Sequence, residues 1–476
     1  MTALLWLRRE LRLHDHPALH AARRDDALIP VFCFDDRLLG GRHASGPRTQ
    51  FLLECLAELD EALRARGSGL VVRRGRPERE LPELARRTGA TVVHLTADVS
   101  PFARRRQAAV TAALARDGVR VIAHPGVFAV DAPQDVLTGA EEPYTTFTPF
   151  HRSWLRRPRR DVLPAPRTLP GLGASPAGGP PTGELPTLAA LGLRQEVPEP
   201  APGGERAARR ALRRFIDGPI DGYAEGRDLL AGDGVSRLSP YLHFGSLSAR
   251  ELEQRAQERT GPGGAAYRRQ LCWRDFFAHV LAHFPAVVDE ELQERYRGTL
   301  RWSRAPRRFE AWCEGRTGFP AVDAAMRQLR REGWMHNRAR LIAGSFLSKD
   351  LGIDWRWGER WFMRLLLDGD EASNNGNWQW IASVGADPQP AFRRMFNPAV
   401  QQRRFDPDGA YVRHHVPELS EVPDEHLAEP WRMPDAVQRQ ANCRIGRDYP
   451  KPIVDHAAAR RDALERYRDA SRRGRG

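Results

Sequence analysis

The first part of the chain alternates between short apolar segments and amphipathic stretches, and this alternation restricts the fold more than any other feature. Segments such as "LIPVFCF" and "TVVHLT" have the length and the β-branched and aromatic content of buried strands. Between them, "TQFLLECLAELDEALRARG" repeats apolar residues at helical spacing. Strands that alternate with helices form parallel, doubly wound sheets. The sequence therefore predicts an α/β domain over residues 1–130, although no GxGxxG motif follows its first strand.

A segment rich in proline and glycine then interrupts this pattern. It is densest between residues 158 and 204, in "PAPRTLPGLGASPAGGPP" and "VPEPAPGG", which is typical of a linker. Later stretches such as "ERAARRALRRFIDG" and "AVDAAMRQLRREG" have helical periodicity almost throughout. We therefore predict a linker over residues 131–204 and an all-α domain over residues 205–476.

The charge balance favours a polyanionic partner. The chain has 74 Lys and Arg against 61 Asp and Glu, a formal charge of +13, and nearly all of the positive charge is arginine. An excess of this size is typical of proteins that bind nucleic acid. A GC-rich genome is an alternative explanation, but it accounts for the preference for arginine over lysine better than for the net excess.

The cysteines and the N-terminus restrict the cellular setting. The five cysteines are far apart and form no CxxC pair. We therefore expect no disulfide framework, no zinc site and no iron–sulfur site. The opening "MTALLWLRREL" reaches charged residues quickly, and no apolar run approaches the ~18 residues of a membrane span. We expect a cytoplasmic protein, without a bound metal or a membrane anchor, and a monomer.

Tryptophan is concentrated in one region. Nine of the 12 tryptophans lie between residues 273 and 380, and two of them end the unusual segment "LLLDGDEASNNGNWQW". Each indole alone could simply belong to the core. As a group they are interleaved with Arg274, Asn337, Arg338, Arg340 and Gln379, whose side chains bind phosphates and base edges. Stacking surfaces beside arginines indicate a site for a nucleobase or a flavin ring.

A further motif, "VSRLSPYLHFGSLS", is one of a series of motifs that follow one another along the chain. Ser236, Arg237 and Ser239 stand where Pro240 would begin a helix, so they could hold a phosphate, although an ordinary helix start reads the same way. The motif is followed in order by "LCWRDFFAHV", "TGFPAVDAAMRQLRREGWMHNRAR", "DWRWGERWF", "LLLDGDEASNNGNWQW" and "FNPAVQ", and the N-terminus begins "WLRRELRLHDHPAL". Over nearly its whole length the chain resembles the cryptochrome/photolyase family, and most closely a bacterial photolyase of class I that acts on cyclobutane pyrimidine dimers.

The resemblance implies a Rossmann-like antenna domain followed by an all-α domain that binds FAD. In the family, residues that match Asp368 and Asp370 lie against the flavin, the residue that matches Asn374 faces flavin N5, and Arg340 matches the partner of Asp368. An amide at Asn374 suits a reduced, anionic flavin and therefore repair, whereas plant cryptochromes carry Asp and insect ones carry Cys. The full set of implied FAD contacts is Tyr223, Ser236, Arg237, Leu238, Ser239, Arg340, Asp368, Gly369, Asp370 and Asn374.

The same resemblance assigns roles in electron transfer and in DNA binding. Trp378, Trp355 and Trp302 match the proximal, middle and surface members of the electron-transfer chain that keeps the flavin reduced. Trp273 and Trp380 match two aromatic side chains on which the damaged base pair rests. The implied contacts to the lesion or to the DNA backbone are Arg227, Gln270, Trp273, Arg274, Asn337, Arg338, Trp380 and Gln401.

The implied reaction is light-driven repair of cyclobutane dimers in UV-damaged DNA, by electron transfer from photoexcited reduced FAD. Some residues depart from this pattern: Gln270 replaces a frequent Glu, Leu341 a frequent Met and Val235 a frequent Thr. Gln at this position also occurs in six-four photolyases and animal cryptochromes. Asn337, however, stands where six-four enzymes have a catalytic histidine, and this favours the cyclobutane dimer.

The sequence leaves three alternative functions open. They are a cryptochrome-type blue-light photoreceptor, a six-four photolyase, and a DNA-binding protein that no longer uses its flavin. A second, antenna chromophore is also implied by the family. It could be methenyltetrahydrofolate or a deazaflavin, and neither "SPFARRRQ" nor "EEPYTTFTPFHRSW" identifies it.

Overall fold

The computed structural model describes residues 1–172, 184–232, 234–387 and 389–474. The N-terminal part contains a five-stranded sheet. Its strands are β1 (Thr2–Leu7), β2 (Ala27–Phe34), β3 (Val71–Arg74), β4 (Ala90–Thr96) and β5 (Arg120–His124). Neighbouring strands are all parallel and lie in the order β3-β2-β1-β4-β5. The predicted doubly wound α/β fold is confirmed.

Helices cover both faces of this sheet, which explains why its central strands are apolar at nearly every position. Ala3 and Leu5 belong to the core on one face, whereas Leu4 and Trp6 pack on the other face in a cluster with Leu84 and Val110. Ser45 and Ser100 cap helix N-termini through their side chains. The helices are α1 (Pro17–Ala22), α2 (Asp36–Leu39), α3 (Gly46–Arg64), α4 (Pro77–Thr88) and α5 (Pro101–Ala115).

The segment predicted as a linker contains a helix, α6 (Phe147–Arg156). Trp154 of α6 is fully buried, and its indole N–H donates to the buried carboxylate of Asp275 at 2.9 Å. The same carboxylate accepts from the backbone N–H groups of Ala129 and Val130. This part of the chain is thus fastened to the helical domain. Residues 173–183 of the predicted linker lie outside the described residues, and the predicted domain boundaries stay a prediction.

The remainder is helical, so the predicted all-α second domain is confirmed. Its long helix α11 passes through the centre of the domain. The helices are α7 (Glu205–Ile216), α8 (Tyr223–Gly226), α9 (Ser239–His243), α10 (Ala249–Gln257), α11 (Pro262–His283), α12 (Pro306–Glu314), α13 (Pro320–Glu332), α14 (Asn337–Ser345), α15 (Trp355–Leu365), α16 (Glu371–Ile381), α17 (Pro398–Phe405), α18 (Ala410–His415), α19 (Asp424–Leu427), α20 (Asp435–Gln440) and α21 (His456–Arg473). A π-helical turn, Phe346–Asp350, follows α14.

The two domains share one hydrophobic core. A single buried cluster includes Leu5 of β1, Phe51 of α3, Tyr241 of α9 and Phe276 of α11. A second cluster is built from α12 to α21 and includes Trp312, Trp355 and Trp378. The functional segments of the helical domain therefore rest directly on the N-terminal domain. Among the described residues, no helix is long and apolar enough to span a membrane.

Candidate flavin and DNA site

One cavity of about 490 Å³ opens among α8, α9, α11, α14 and α16. It is large enough to bury a cofactor. It brings together most of the residues that the sequence singled out, although they come from segments far apart in the chain. Its lining includes Tyr223, Arg227, Ser236, Arg237, Leu238, Ser239, Gln270, Trp273, Arg274, Asn337, Arg338, Arg340, Asp368, Asp370, Asn374, Trp378 and Trp380. Gly369, Gln401, Trp302 and Trp355 are not part of this lining.

Asp368 and Arg340 form the expected ion pair on the cavity wall. Nη2 of Arg340 lies 2.8 Å from Oδ2 of Asp368, and Nε of Arg340 donates to the carbonyl of Met335. The other carboxylate oxygen of Asp368 is buried and has no partner among the described residues. A buried oxygen without a partner is costly, and this one has a hydrogen-bonding position free for a ligand.

Asp370 caps α16 and is held from the opposite side by the N-terminal domain. Its side chain accepts from the backbone N–H of Ser373 at 2.9 Å, and Nη2 of Arg9 lies 2.7 Å from Oδ2. Arg9 also donates to the carbonyl of His243 and reaches Asp98. Burial is the largest single influence and would raise the pKa of Asp370, but the charges of Arg9 and Arg274 and the N–H of Ser373 together outweigh it and hold that pKa below its ordinary value. Asp370 is therefore a fixed anion at the N-terminus of α16.

Asn374 projects from the first turn of α16 into the cavity, and its amide nitrogen donates to the carbonyl of Glu359 at 3.0 Å. The amide oxygen is the atom left for a ligand. Gly376 on the same helix packs so closely on α11 that a Cβ there would lie 2.1 Å from the ring of Phe277. A glycine at this point lets α16 approach α11, which accounts for the glycine in "NNGNWQW".

The "SRLS" segment forms another wall. Arg237 has φ 52°, an uncommon left-handed conformation for a non-glycine residue, and its guanidinium lies 4.4 Å from the ring centroid of Trp334. The hydroxyl groups of Ser236 and Tyr267 lie 2.9 Å apart, and the indole N–H of Trp334 donates to Oγ of Ser239 at 3.3 Å. Both serine hydroxyls are oriented by these neighbours at the cavity surface.

The three tryptophans of the predicted electron-transfer chain lie at different depths. Trp378 lines the cavity, Trp355 is fully buried at the start of α15, and Trp302 is partly exposed. The backbone N–H of Ser303 donates to the carbonyl of Gly352 at 2.8 Å, which holds the Trp302 segment beside the start of α15. Trp378 is thus at the cavity and Trp302 at the surface, and their role in electron transfer stays a prediction.

The packing around Trp378 is tight. A Cβ at Gly358 would lie 2.2 Å from its ring, and Phe362 meets it edge-on at 4.9 Å between centroids. The indole N–H groups of Trp378 and Trp355 have no partner among the described residues.

Two aromatic side chains, Trp273 and Trp380, face the cavity, and we call them the aromatic walls. Trp273 stacks on Phe147 of α6 with centroids 3.7 Å apart and planes 2° apart. The guanidinium of Arg394 lies 3.7 Å from the ring centroid of Trp380. Each wall therefore has one face covered by another side chain of the protein.

The polar residues predicted to contact DNA differ in their exposure and in their partners within the protein. Asn337 is exposed at the start of α14, and Arg338 beside it pairs with Asp228 at 2.9 Å. Arg274 lines the cavity, but its guanidinium donates to the carbonyls of Val127 and Leu242, so it also joins the two domains. Gln401 lies outside the cavity lining, and its amide oxygen is buried without a partner among the described residues.

His336 stands next to Asn337 but has a structural role. It is buried, and its Nδ1 accepts from the backbone N–H of Arg338 at 3.1 Å, which caps α14. Burial lowers the pKa of His336 to about 4. A histidine with that pKa is neutral at physiological pH, and it does not line the cavity.

Several residues of the site were not found by sequence reasoning. Arg9 had a signal only as part of the opening segment "WLRRELRLHDHPAL". His243 lines the cavity 3.9 Å from Asp370, and burial together with Arg9 lowers its pKa well below the ordinary value. Phe147 and Arg394 were missed because only the folded chain places them behind the aromatic walls.

A second group of buried side chains lies at the carboxyl end of the sheet, near the β1–β4 switch point, where doubly wound folds bind ligands. The guanidinium groups of Arg8 and Arg106 lie 5.1 and 5.4 Å from the ring centroid of Trp6. One nitrogen of each is buried without a partner among the described residues. Burial and the charge of Arg8 lower the pKa of Arg106 to about 10. Arg106 also lies 3.6 Å from Oδ2 of Asp35, and the two donors without a partner in the described part of the chain suit an anionic ligand.

Comparison with known proteins agrees with this geometry. Residues 3–169 match the family model described as DNA photolyase, and residues 267–469 match the model described as the FAD-binding domain of DNA photolyase. Deoxyribodipyrimidine photo-lyase of Streptomyces griseus is 45% identical over 457 residues, which cover 95% of this chain and 96% of that protein. The enzyme of the same name from Escherichia coli is 36% identical and covers 99% of both chains. The chain belongs to the DNA photolyase family and contains its FAD-binding domain.

Solved structures are similar over almost the full length. A bacterial class III photolyase from Agrobacterium tumefaciens has a TM-score of 0.91 at 35% identity, covering 99% of this chain and 98% of that one. A cryptochrome from Synechocystis has a TM-score of 0.88 at 31% identity, covering 98% of both chains. An archaeal photolyase from Sulfolobus tokodaii, described with two FAD molecules and a novel light-harvesting cofactor, has a TM-score of 0.82 at 30% identity, covering 98% of this chain and 100% of that one.

Proposed function

We propose that this protein is a deoxyribodipyrimidine photolyase that repairs cyclobutane pyrimidine dimers in UV-damaged DNA with blue light. The observation that carries this proposal is the single cavity in which Asn374, Trp378, the Asp368–Arg340 pair and both aromatic walls meet. Its lining offers polar partners for a flavin and two aromatic faces for a flipped dimer.

The donor set of the cavity fits FAD. The unpartnered oxygen of Asp368 and the amide oxygen of Asn374 would accept from the ring system or the ribityl chain. Ser236, Ser239 and Arg237 would hold the phosphates, with Tyr223 and Leu238 beside them, while Gly369 connects the two aspartates. When bound in its reduced form and excited by light, the flavin supplies the electron that opens the cyclobutane ring and receives it back, so repair is redox-neutral.

The protein's own residues orient the lesion, exclude water from the cavity and conduct electrons. The aromatic walls hold the flipped dimer by stacking, and a dimer is cheaper to flip than an intact pair because it is already poorly paired. Asn337 and Gln270 can donate hydrogen bonds to pyrimidine carbonyl groups. Arg227, Arg338 and Gln401 contact the DNA backbone, and Arg274, which lines the cavity at the domain interface, contributes positive charge towards the lesion. Trp302, Trp355 and Trp378 pass an electron inwards when the flavin has been oxidised.

The Arg8–Arg106 group at the carboxyl end of the sheet would hold an antenna chromophore with an anionic part. Reducing surroundings suit this protein, since all five cysteines are buried and unpaired. We place it in the cytoplasm as a monomer.

The deciding experiment is repair of a dimer-containing oligonucleotide by the purified protein. We expect FAD to copurify and repair to require near-UV or blue light. Repair at an equal rate in darkness would overturn the proposal. A bound flavin with light-dependent chemistry but no loss of dimers would instead indicate a photoreceptor.

A further inference from the structure

The two aromatic walls are supported in chemically different ways. Behind Trp273 lies the parallel ring of Phe147, an apolar support. Behind Trp380 lies the guanidinium of Arg394, 3.7 Å from the ring centroid, which is close contact for a cation over an indole. Since an indole has two flat faces, the face of Trp380 opposite Arg394 is the one available to a stacked base.

Arg394 is itself held firmly. Its Nε donates to Oδ2 of Asp387 at 2.6 Å, and the side chain of Asp387 is only 3% exposed. The carbonyl of Arg394 accepts from the hydroxyl of Ser345 at 3.0 Å, which ties this loop to α14. With Nε bound and its backbone anchored, the guanidinium plane has little freedom to leave the indole.

We propose that Arg394, fixed by Asp387, is a positioning residue that holds Trp380 in the orientation needed to stack on a flipped dimer. This inference rests on the proposed function. A flat, delocalised cation can lie parallel to an indole, whereas a compact ammonium group cannot match its area. Fixing the ring before DNA arrives lowers the entropy lost when the lesion stacks on it.

A direct contact between Arg394 and a DNA phosphate would predict a different pattern. A phosphate contact strengthens binding to damaged and undamaged DNA alike and contributes about one unit to the salt slope. Support of Trp380 strengthens only the binding of the flipped lesion and does not depend on salt. The ratio of the two affinities therefore separates these roles.

The test compares binding of one oligonucleotide with and without a single cyclobutane dimer, in darkness, across a salt series. The variants are Arg394→Lys and the double variant Arg394→Gln with Asp387→Asn, which avoids leaving a buried, unpaired carboxylate. Arg393→Gln is the matched control, because Arg393 is the exposed neighbour in the same 3₁₀-helical turn, Ala391–Arg394, and its side chain donates to Gln389 at 2.7 Å. Flavin absorbance of each variant reports whether the cavity has assembled.

We expect both Arg394 variants to lose about fivefold in preference for the dimer, with unchanged affinity for undamaged DNA and an unchanged salt slope. Arg393→Gln should keep the wild-type preference. Equal losses of affinity for both DNAs, with a lower salt slope, would overturn the inference in favour of a phosphate contact. A full dimer preference in both Arg394 variants would also overturn the inference. A wild-type protein without any preference for the dimer would contradict the proposed function itself.

Discussion

Arg9 and Asp370 lie 361 residues apart in the chain and form an ion pair of 2.7 Å across the domain interface. Asp370 caps α16, the helix that carries Asn374, Trp378 and Trp380. The N-terminal domain is therefore part of the support of the flavin site as well as a candidate antenna.

Replacing Arg9 with Leu should weaken both stability and flavin binding. The variant leaves the Asp370 carboxylate largely buried and without its main counter-charge, which we expect to cost roughly 3 kcal/mol. Because the pKa of Asp370 is held low in the folded protein, the stabilisation is present at neutral pH and is lost only in strong acid. Thermal unfolding and flavin content after gel filtration measure the two effects. Asp289→Asn is the control. It removes another ion pair between the domains, Arg42–Asp289, in which the side chain of Asp289 is 77% exposed. An equal loss of stability in this variant would show that any interdomain ion pair has the same effect.

Replacing Trp378 with Phe should block photoreduction of oxidised flavin by an external thiol, because Phe preserves the packing but is much harder to oxidise. Repair by chemically reduced enzyme should continue. Trp312→Phe is the matched control: Trp312 is buried 6.2 Å from Trp378, but it is not in the proposed chain. Loss of both activities in Trp378→Phe would make Trp378 part of the lesion pocket or a purely structural residue.

Replacing Arg227 with Gln should reduce the salt dependence of binding to damaged DNA. Each phosphate contact contributes about one unit to the slope of log K against log salt, so the slope should fall by about that amount. Arg86→Gln on α4, where Arg86 pairs with Asp117 at 2.7 Å, should leave the slope unchanged. An unaltered slope in Arg227→Gln would remove Arg227 from the phosphate contacts.

The enzyme should repair cyclobutane dimers but not six-four photoproducts. Six-four repair needs proton transfer, which the amide of Asn337 cannot perform, and the neighbouring His336 is a buried cap with its pKa lowered to about 4. Single-lesion oligonucleotides under blue light with reduced enzyme provide the measurement. Six-four repair that disappears in His336→Ala would show that His336, and not Asn337, governs the lesion type.

Stability should fall as the pH drops below about 6.5, in part through His279. Its Nε2 accepts from the backbone N–H of Tyr144 and its Nδ1 contacts the carbonyl of Pro133, so the folded protein holds the neutral ring. Burial and His283 lower the pKa of His279 to about 4, and the stabilisation is therefore present above pH ~6.5 and lost between ~6.5 and ~4, roughly 3 kcal/mol in total. His279→Gln should lose less stability than the wild type between pH 7.5 and 4.5 in thermal unfolding. Equal losses in the variant and the wild type would mean that the pKa of His279 is the same in the folded and the unfolded protein.

The sequence by itself determined the secondary structure and much of the site. Short apolar segments with β-branched and aromatic residues, and apolar residues at helical spacing, are local signals, so β1 to β5 and helices such as α3 and α13 could be predicted closely. The "DGDEASNNGNWQW" and "SRLS" motifs pointed to the cavity through their resemblance to the flavin-binding segments of the photolyase family. Of the residues assigned from motifs to FAD or DNA, only Gly369 and Gln401 lie outside the cavity lining.

Only the tertiary structure decided which side chains support those motifs. Arg9 reaches Asp370 from the opposite end of the chain, Phe147 reaches Trp273 from a segment predicted as a linker, and Arg394 covers Trp380 from a loop. His336 and Asn337 are adjacent in sequence, yet one caps a helix and the other faces the cavity. Such roles depend on burial and on contacts between distant segments, which local spacing does not encode.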